Sequence, residues 1–123
     1  MSISLTVAAA LCLAISAAHS WLGERYILIR LFRRENLPKL FGSDEFTKKT
    51  LRFAWHITSI AWIGFAAILL LLARRGGGDR TTILHAVAGT FLASALLALF
   101  GSRGRHYSWI VFLAIALLAA IAE

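Results

Sequence analysis

Long apolar segments dominate the chain, and four windows contain no Asp, Glu, Lys or Arg: residues 1–23, 53–73, 81–102 and 106–122. A helix that crosses a membrane needs about 20 predominantly apolar residues. The first three windows meet that length, and the shorter fourth is expected to use Arg105 and Glu123 as polar ends that reach the headgroups. The pattern predicts an all-α integral membrane protein with four transmembrane helices in an up-and-down bundle. The predicted spans cover about residues 2–22, 51–73, 81–102 and 105–122, within a single domain 1–123.

The segments between the spans are basic, with 13 Lys and Arg against 6 Asp and Glu and a net charge of +7. In a soluble protein this charge would indicate nucleic-acid binding, but its distribution favours another explanation. Ten of the 13 cations lie in the first and third predicted loops, and the other three lie in the second. Basic loops remain in the cytoplasm, so we predict that loop 24–50 and the third loop are cytoplasmic and that both termini are not. A bacterial inner (plasma) membrane is the expected location, with anionic lipid headgroups as partners of the basic loop and no nucleic acid.

The first apolar window has some features of a secretory signal peptide. However, no cation precedes it and a strongly basic stretch follows it, which is the reverse of the charge order in such a signal. We therefore interpret the window as an uncleaved first span.

Polar residues recur at helical spacing in the first two predicted spans. Cys12, Ser16 and His19 share one face of the first span, and His56 and Ser59 share one face of the second. Small and polar side chains in such stripes are typical of close helix–helix contacts. The same stripes, Cys12, Ser16 and Ser59 among them, also suit the wall of an ion path. The sequence leaves both interpretations open.

Three of the four histidines are predicted at the same end of the bundle. His19 and His56 lie at similar depth near the inner boundary, His106 begins the fourth span there, and His85 lies at the opposite end. With Glu24, these three form a candidate transition-metal site, because imidazole and carboxylate are common ligands of zinc, iron and copper. Alternatively, His19 and His56 on neighbouring helices suit the two axial positions of a haem. No catalytic residue is assigned, and the identity of the cofactor stays open.

Three functions are consistent with these features. The first is redox chemistry or metal handling at a histidine site near the cytoplasmic face. The second is a noncatalytic accessory or assembly subunit of a larger membrane complex, in which the histidines are structural. The third is a small oligomeric transporter or channel, in which Ser16 and His19 face a hydrated path. Small-residue faces also predict self-association or membership of a membrane complex.

Overall fold

The computed structural model describes residues 1–122 and is built from helices joined by short irregular segments. Glu123, the predicted polar end of the fourth span, lies outside the described residues. In chain order the elements are α1 (Ile3–Leu22), a π-helical segment (Gly23–Leu28), α2 (Ile29–Leu31), α3 (Glu45–Ala73), α4 (Arg80–Gly101) and α5 (Ser108–Ile121). The prediction of an all-helical chain is confirmed for this part of the sequence.

Three helices are long and apolar enough to cross a membrane: the continuous helix Ile3–Leu31, α3 and α4. Their composition agrees with an integral membrane protein. The fourth apolar helix, α5, has 14 residues, or about 21 Å at 1.5 Å per residue, against a hydrocarbon thickness of about 30 Å. A fourth span and the positions of the termini therefore remain predictions.

Much of the predicted cytoplasmic loop 24–50 is helical. The first helix continues past residue 22 to Leu31, and α3 begins at Glu45, ahead of the predicted span. Charged residues at these helix ends do not interrupt the backbone hydrogen bonding. The irregular part, residues 32–44, contains Pro38, which lacks an amide hydrogen, and Gly42, which has a φ of 88°. Both residues disfavour a continued helix in the segment that separates α2 from α3.

The helices form an open row in which each packs closely against its neighbour in sequence. The closely packed pairs are α1 with α3, α3 with α4, and α4 with α5. Over residues 1–122, α1 makes no close backbone approach to α4 or α5. This differs from the predicted bundle, since a closed bundle would bring the first and last helices together. Short connections make consecutive helices neighbours in space, but they do not require the first helix to contact the last.

Neighbouring helices run in opposite directions. At one end of the α1–α3 pair, the backbone N–H of Ser2 donates to the carbonyl oxygen of Ala73 at 2.8 Å. At the other end, Arg52 forms an ion pair with Glu24. The first and third loops meet at that same end, where a guanidinium nitrogen of Arg103 lies 3.8 Å from a carboxylate oxygen of Glu45. Most of the positive charge is therefore concentrated at one end of the row.

Small side chains fill the contacts between the helices, and many large apolar side chains point outward. Gly64 lies directly against Thr90 of α4, and Gly101 lies against Phe53 of α3. Small residues let helix backbones approach closely, which strengthens van der Waals contact in a lipid environment. Most of the buried residues are alanine or serine: Ala9, Ser16, Ser59, Ala66, Ala73, Ala88, Ser94, Ala95, Ala98, Ser102 and Ala116.

Candidate functional site

A chain of polar side chains connects the first helix to α3 at the basic end of the row. Glu24 accepts two contacts from Arg52, with Nη2 2.8 Å from Oε1 and Nε 3.2 Å from Oε2. The same carboxylate oxygen, Oε2, lies 3.1 Å from Nε2 of His56. One carboxylate therefore bridges a guanidinium and an imidazole.

The second ring nitrogen of His56 continues the chain. Its Nδ1 lies 2.9 Å from the hydroxyl of Ser20, and that hydroxyl donates to Ser59 Oγ at 2.7 Å. We call Arg52, Glu24, His56, Ser20 and Ser59 the polar network. Every link in it joins a hydrogen-bond donor to an acceptor.

The polar network extends from the charged end of α3 into its apolar region. His56 and Ser59 follow Arg52 by about 6 and 10 Å along the helix axis, at 1.5 Å per residue. Arg52 is exposed, His56 is partly buried, and Ser59 is 5% exposed. Ionisable side chains are rare inside membrane segments unless they face protein or water. His56 meets that condition because α1 covers it with Ser20.

Glu24 belongs to the π-helical segment, Gly23–Leu28, which has a wider turn than an α-helix. Short π-helical segments are frequent at functional sites. Ser20 lies in the last turn of α1, just before this segment, and Glu24 lies within it. Both contacts that His56 makes with the first helix are therefore at or next to the π-helical segment.

His19 is held by aromatic rings outside the polar network. Its ring stacks on Trp55 with centroids 4.5 Å apart and planes 4° apart, and meets Trp62 edge-on at 4.9 Å. Trp55 Nε1 donates to the backbone oxygen of His19 at 3.0 Å. The indole of Trp55 also lies on Gly23, where a Cβ atom would overlap it. His19 is therefore part of a packed aromatic cluster.

His106 lies in a different environment, in the segment before α5. Its ring centroid is 5.2 Å from that of Phe53 and 6.0 Å from that of Phe46. Its Nδ1 lies 2.9 Å from the hydroxyl of Ser108. These contacts join the third loop to the start of α3, so the geometry assigns His106 a packing role.

The predicted metal ligands are not brought together. Of the set His19, His56, His106 and Glu24, only Glu24 and His56 are in contact, and residues 1–122 contain no cluster of three or more His, Cys, Asp or Glu suited to a metal ion. The haem arrangement does not fit either. Both nitrogens of His56 are already hydrogen-bonded, and the ring of His19 is stacked on Trp55. The spacing along the helices placed these side chains at similar depth but did not show that they face different neighbours.

The predicted polar stripe on α1 is only partly connected to the network. Ser16 is buried, and its hydroxyl donates to the backbone oxygen of Cys12 at 2.7 Å. Ser59 does join the network through Ser20. The helix–helix interpretation therefore suits Ser16 and Cys12, whereas Ser59 belongs to the candidate site.

Sequence reasoning missed two members of the site, Ser20 and Arg52. A signal for them exists, because Ser20 and Glu24 are four residues apart on one helix, and Arg52 and His56 are four residues apart on the other. Such i, i+4 pairs lie on one face. When two of these faces carry complementary charged and polar groups, pairing between the helices is a natural expectation.

The chain matches no known protein family, and no curated protein or solved structure is significantly similar to it. The chemistry of the polar network therefore has to be inferred from its own residues and distances.

Proposed function

We propose that this chain is a small oligomeric membrane transporter or channel that binds and releases a proton at His56, which is paired with the Glu24 carboxylate. The observation that carries the proposal is the 3.1 Å contact between His56 Nε2 and the Glu24 carboxylate between two membrane-length helices. An ionisable residue in such a position is by default a candidate for proton or ion movement.

The proposed mechanism uses two arrangements of the same hydrogen bonds. When Ser20 donates to Ser59, its oxygen accepts from His56 Nδ1–H, and a second N–H on Nε2 donates to Glu24. This is the protonated imidazole, facing a carboxylate. In the release step, Nδ1 passes its proton to Ser20, Ser20 passes its own hydroxyl proton to Ser59, and Ser59 releases its own beyond the network. Ser20 then donates to Nδ1, and Ser59 donates to Ser20. One proton is then gained or lost without moving a helix.

Arg52 has a separate role in this mechanism. Its guanidinium forms a two-contact pair with the Glu24 carboxylate, which holds the carboxylate in the orientation that reaches His56. The pair lies at the exposed end of the network, so a proton enters from the side that carries most of the basic residues.

The proposed topology has four spans, including α5, with both termini on the non-cytoplasmic side of a bacterial inner membrane. The concentration of ten cations at one end and three at the other supports it. In this topology the polar network opens to the cytoplasm. The open row leaves α1 and α5 each with a single close helix neighbour in the described chain, and contact with further copies would extend the path beyond Ser59.

The test is proton flux into liposomes that contain the purified chain and a trapped pH-sensitive dye, with a potassium gradient and valinomycin to set the voltage. The unaltered chain is expected to conduct protons, and His56→Gln and Glu24→Gln are expected to abolish the flux. His85→Gln in α4 is the matched control, because it also removes an imidazole but leaves the network intact. Equal flux in His56→Gln and the unaltered chain would refute the proposal.

The open row of helices favours a second candidate, an accessory or assembly subunit of a larger membrane complex. A subunit of this kind uses its unpaired helix edges for contact with partners, and the polar network then specifies how α1 pairs with α3. The two candidates differ in the liposome experiment, because an accessory subunit alone gives no flux. Crosslinking in native membranes would then identify a larger partner.

A further inference from the structure

A cleft opens at the basic end of the row, between the end of α2 and the start of α3. Its volume is about 430 Å³. Two sets of hydrogen bonds fold the loop that forms it: the hydroxyl of Thr47 donates to the Pro38 carbonyl at 2.8 Å, and Leu40 and Ser43 exchange backbone hydrogen bonds at 2.9 and 3.4 Å. The charged residues that line it are Arg33, Arg34, Glu35, Lys39, Asp44 and Lys48.

The cleft has an excess of positive charge that the described chain does not neutralise. Lys48 pairs with Asp44 at 2.7 Å, so these two charges offset each other. In residues 1–122, no ion pair within 4.0 Å engages Arg33, Arg34 or Lys39. Three unpaired cations therefore share the cleft with one further acid, Glu35.

Most other cations at the same end have partners, which distinguishes the cleft from the general basic surface. Arg52 pairs with Glu24, Lys49 pairs with Glu45, and the guanidinium of Arg30 lies over the ring of Tyr26. In residues 1–122, four cations at this end have neither an ion pair nor a ring contact, and three of them line the cleft; the fourth is Arg105.

We propose that this cleft binds a phosphate group, supplied by an acidic phospholipid or by a soluble phosphate ester. Arginine forms paired hydrogen bonds with phosphate oxygens, and the cleft is lined by two arginines and a lysine that have no ion-pair partner in residues 1–122. The volume leaves room for a small group attached to the phosphate. The hydroxyls of a glycerol headgroup would find an acceptor in Glu35.

The surroundings of the cleft favour a lipid as the source. Phe41, at the tip of the same loop, is 82% exposed, and the adjacent Leu40 is 47% exposed. An aromatic and an aliphatic side chain beside unpaired cations suit the boundary between headgroups and acyl chains. The inference does not depend on proton movement in the polar network, so either proposal can fail alone.

The experiment titrates the full chain, purified in a neutral detergent, with dioleoylphosphatidylglycerol or dioleoylphosphatidylcholine and counts bound lipids by native mass spectrometry. The double variant Arg33→Gln/Arg34→Gln is compared with Arg30→Gln/Arg105→Gln. Both variants remove two positive charges at the same end, but only the first alters the cleft. Circular dichroism checks that both variants keep their helix content.

The cleft variant is expected to bind phosphatidylglycerol about thirtyfold more weakly than the unaltered chain, from the usual effect of two basic residues near a headgroup. The control variant is expected to lose at most a small fraction of this. An equal loss in the two variants would mean nonspecific surface charge and would overturn the proposal, as would equal binding of the two lipids.

Glycerol 3-phosphate and inorganic phosphate are then added as competitors. Displacement of the lipid identifies a soluble ester as a ligand, and retention of the lipid identifies the phospholipid.

Discussion

Gly23→Ala tests whether the contact between Trp55 and the first helix holds the aromatic cluster in place. A Cβ at residue 23 would lie 2.7 Å from Cζ2 of Trp55 and would overlap other atoms of the indole, whereas ordinary contacts are 3.4–4 Å. The nearest indole atom has to retreat by more than an ångström to reach an ordinary contact distance. That movement disturbs its stacking on His19 and its hydrogen bond to the His19 carbonyl.

Each of these losses has an approximate magnitude. An aromatic pair contributes about 0.5–1.5 kcal/mol beyond burial, and a side-chain hydrogen bond contributes about 0.5–1.5 kcal/mol. Extra atoms in a packed contact usually cost about 1–3 kcal/mol. These effects overlap, because one ring movement causes all of them. We therefore expect Gly23→Ala to lower the free energy of unfolding by about 1–3 kcal/mol.

The assay is unfolding by sodium dodecyl sulfate in mixed micelles, followed by tryptophan fluorescence. Gly89→Ala is the matched control, because a Cβ at residue 89 of α4 would meet no atom within 4 Å. In the background Trp55→Leu, the cost of Gly23→Ala is expected to be much smaller, since the overlapping atoms are gone. The reasoning is refuted if Gly23→Ala unfolds like Gly89→Ala, or if its cost is unchanged in Trp55→Leu.

Three further predictions concern other contacts. Gly64→Ala would place a Cβ 2.7 Å from Cγ2 of Thr90, so it is expected to lower the free energy of unfolding by about 1–3 kcal/mol in the same assay. An equally large decrease in a Thr90→Ala background would contradict this cause. Ser20→Ala breaks the polar network and is expected to cost about 0.6 kcal/mol, the typical value for a hydrogen bond between membrane helices; an unchanged unfolding midpoint would mean that the network adds no stability. Asp79 caps α4 by accepting from the Thr82 N–H at 2.8 Å, and hydrogen bonds from Thr82 hold the pKa of Asp79 below its usual value of 3.8. The cap therefore stabilises the helix above that value and is lost as the pH falls through the lowered pKa. The amide chemical shift of Thr82 will report this transition. Asp79→Asn keeps the cap and is expected to lack the transition, so a transition of equal size in that variant would exclude Asp79 as its origin.

The helices were predictable because their signal is simple. Windows without charge located the cores of α1, α3 and α4. The ends were less accurate, since charged residues continue the helix to Leu31 and restart it at Glu45. Charge sets where a helix meets water or headgroups, but it does not end the helix.

The candidate site was harder to predict. Helical spacing placed Glu24, His19 and His56 near one end, yet it did not show which of them face each other. His19 and Ser20 are consecutive, and the rotation of about 100° between them directs His19 toward Trp55 and Ser20 toward His56. The π-helical segment had no clear signal in the sequence. Which residues of two helices meet depends on the rotation of one helix relative to the other. The periodicity of residues along a single helix does not specify that rotation.

The open row also bears on how the protein is made. Each helix packs closely on the one synthesised before it: α3 on α1, α4 on α3, and α5 on α4. Every close helix pair of the row joins helices that are consecutive in the chain, so its contacts span shorter stretches of sequence than contacts between the first and last helices would, and shorter separations favour rapid folding. The residues of the α1–α3 pair, with its polar network, all lie before residue 74. The whole polar network is thus present in the chain before α4 and α5 have been synthesised.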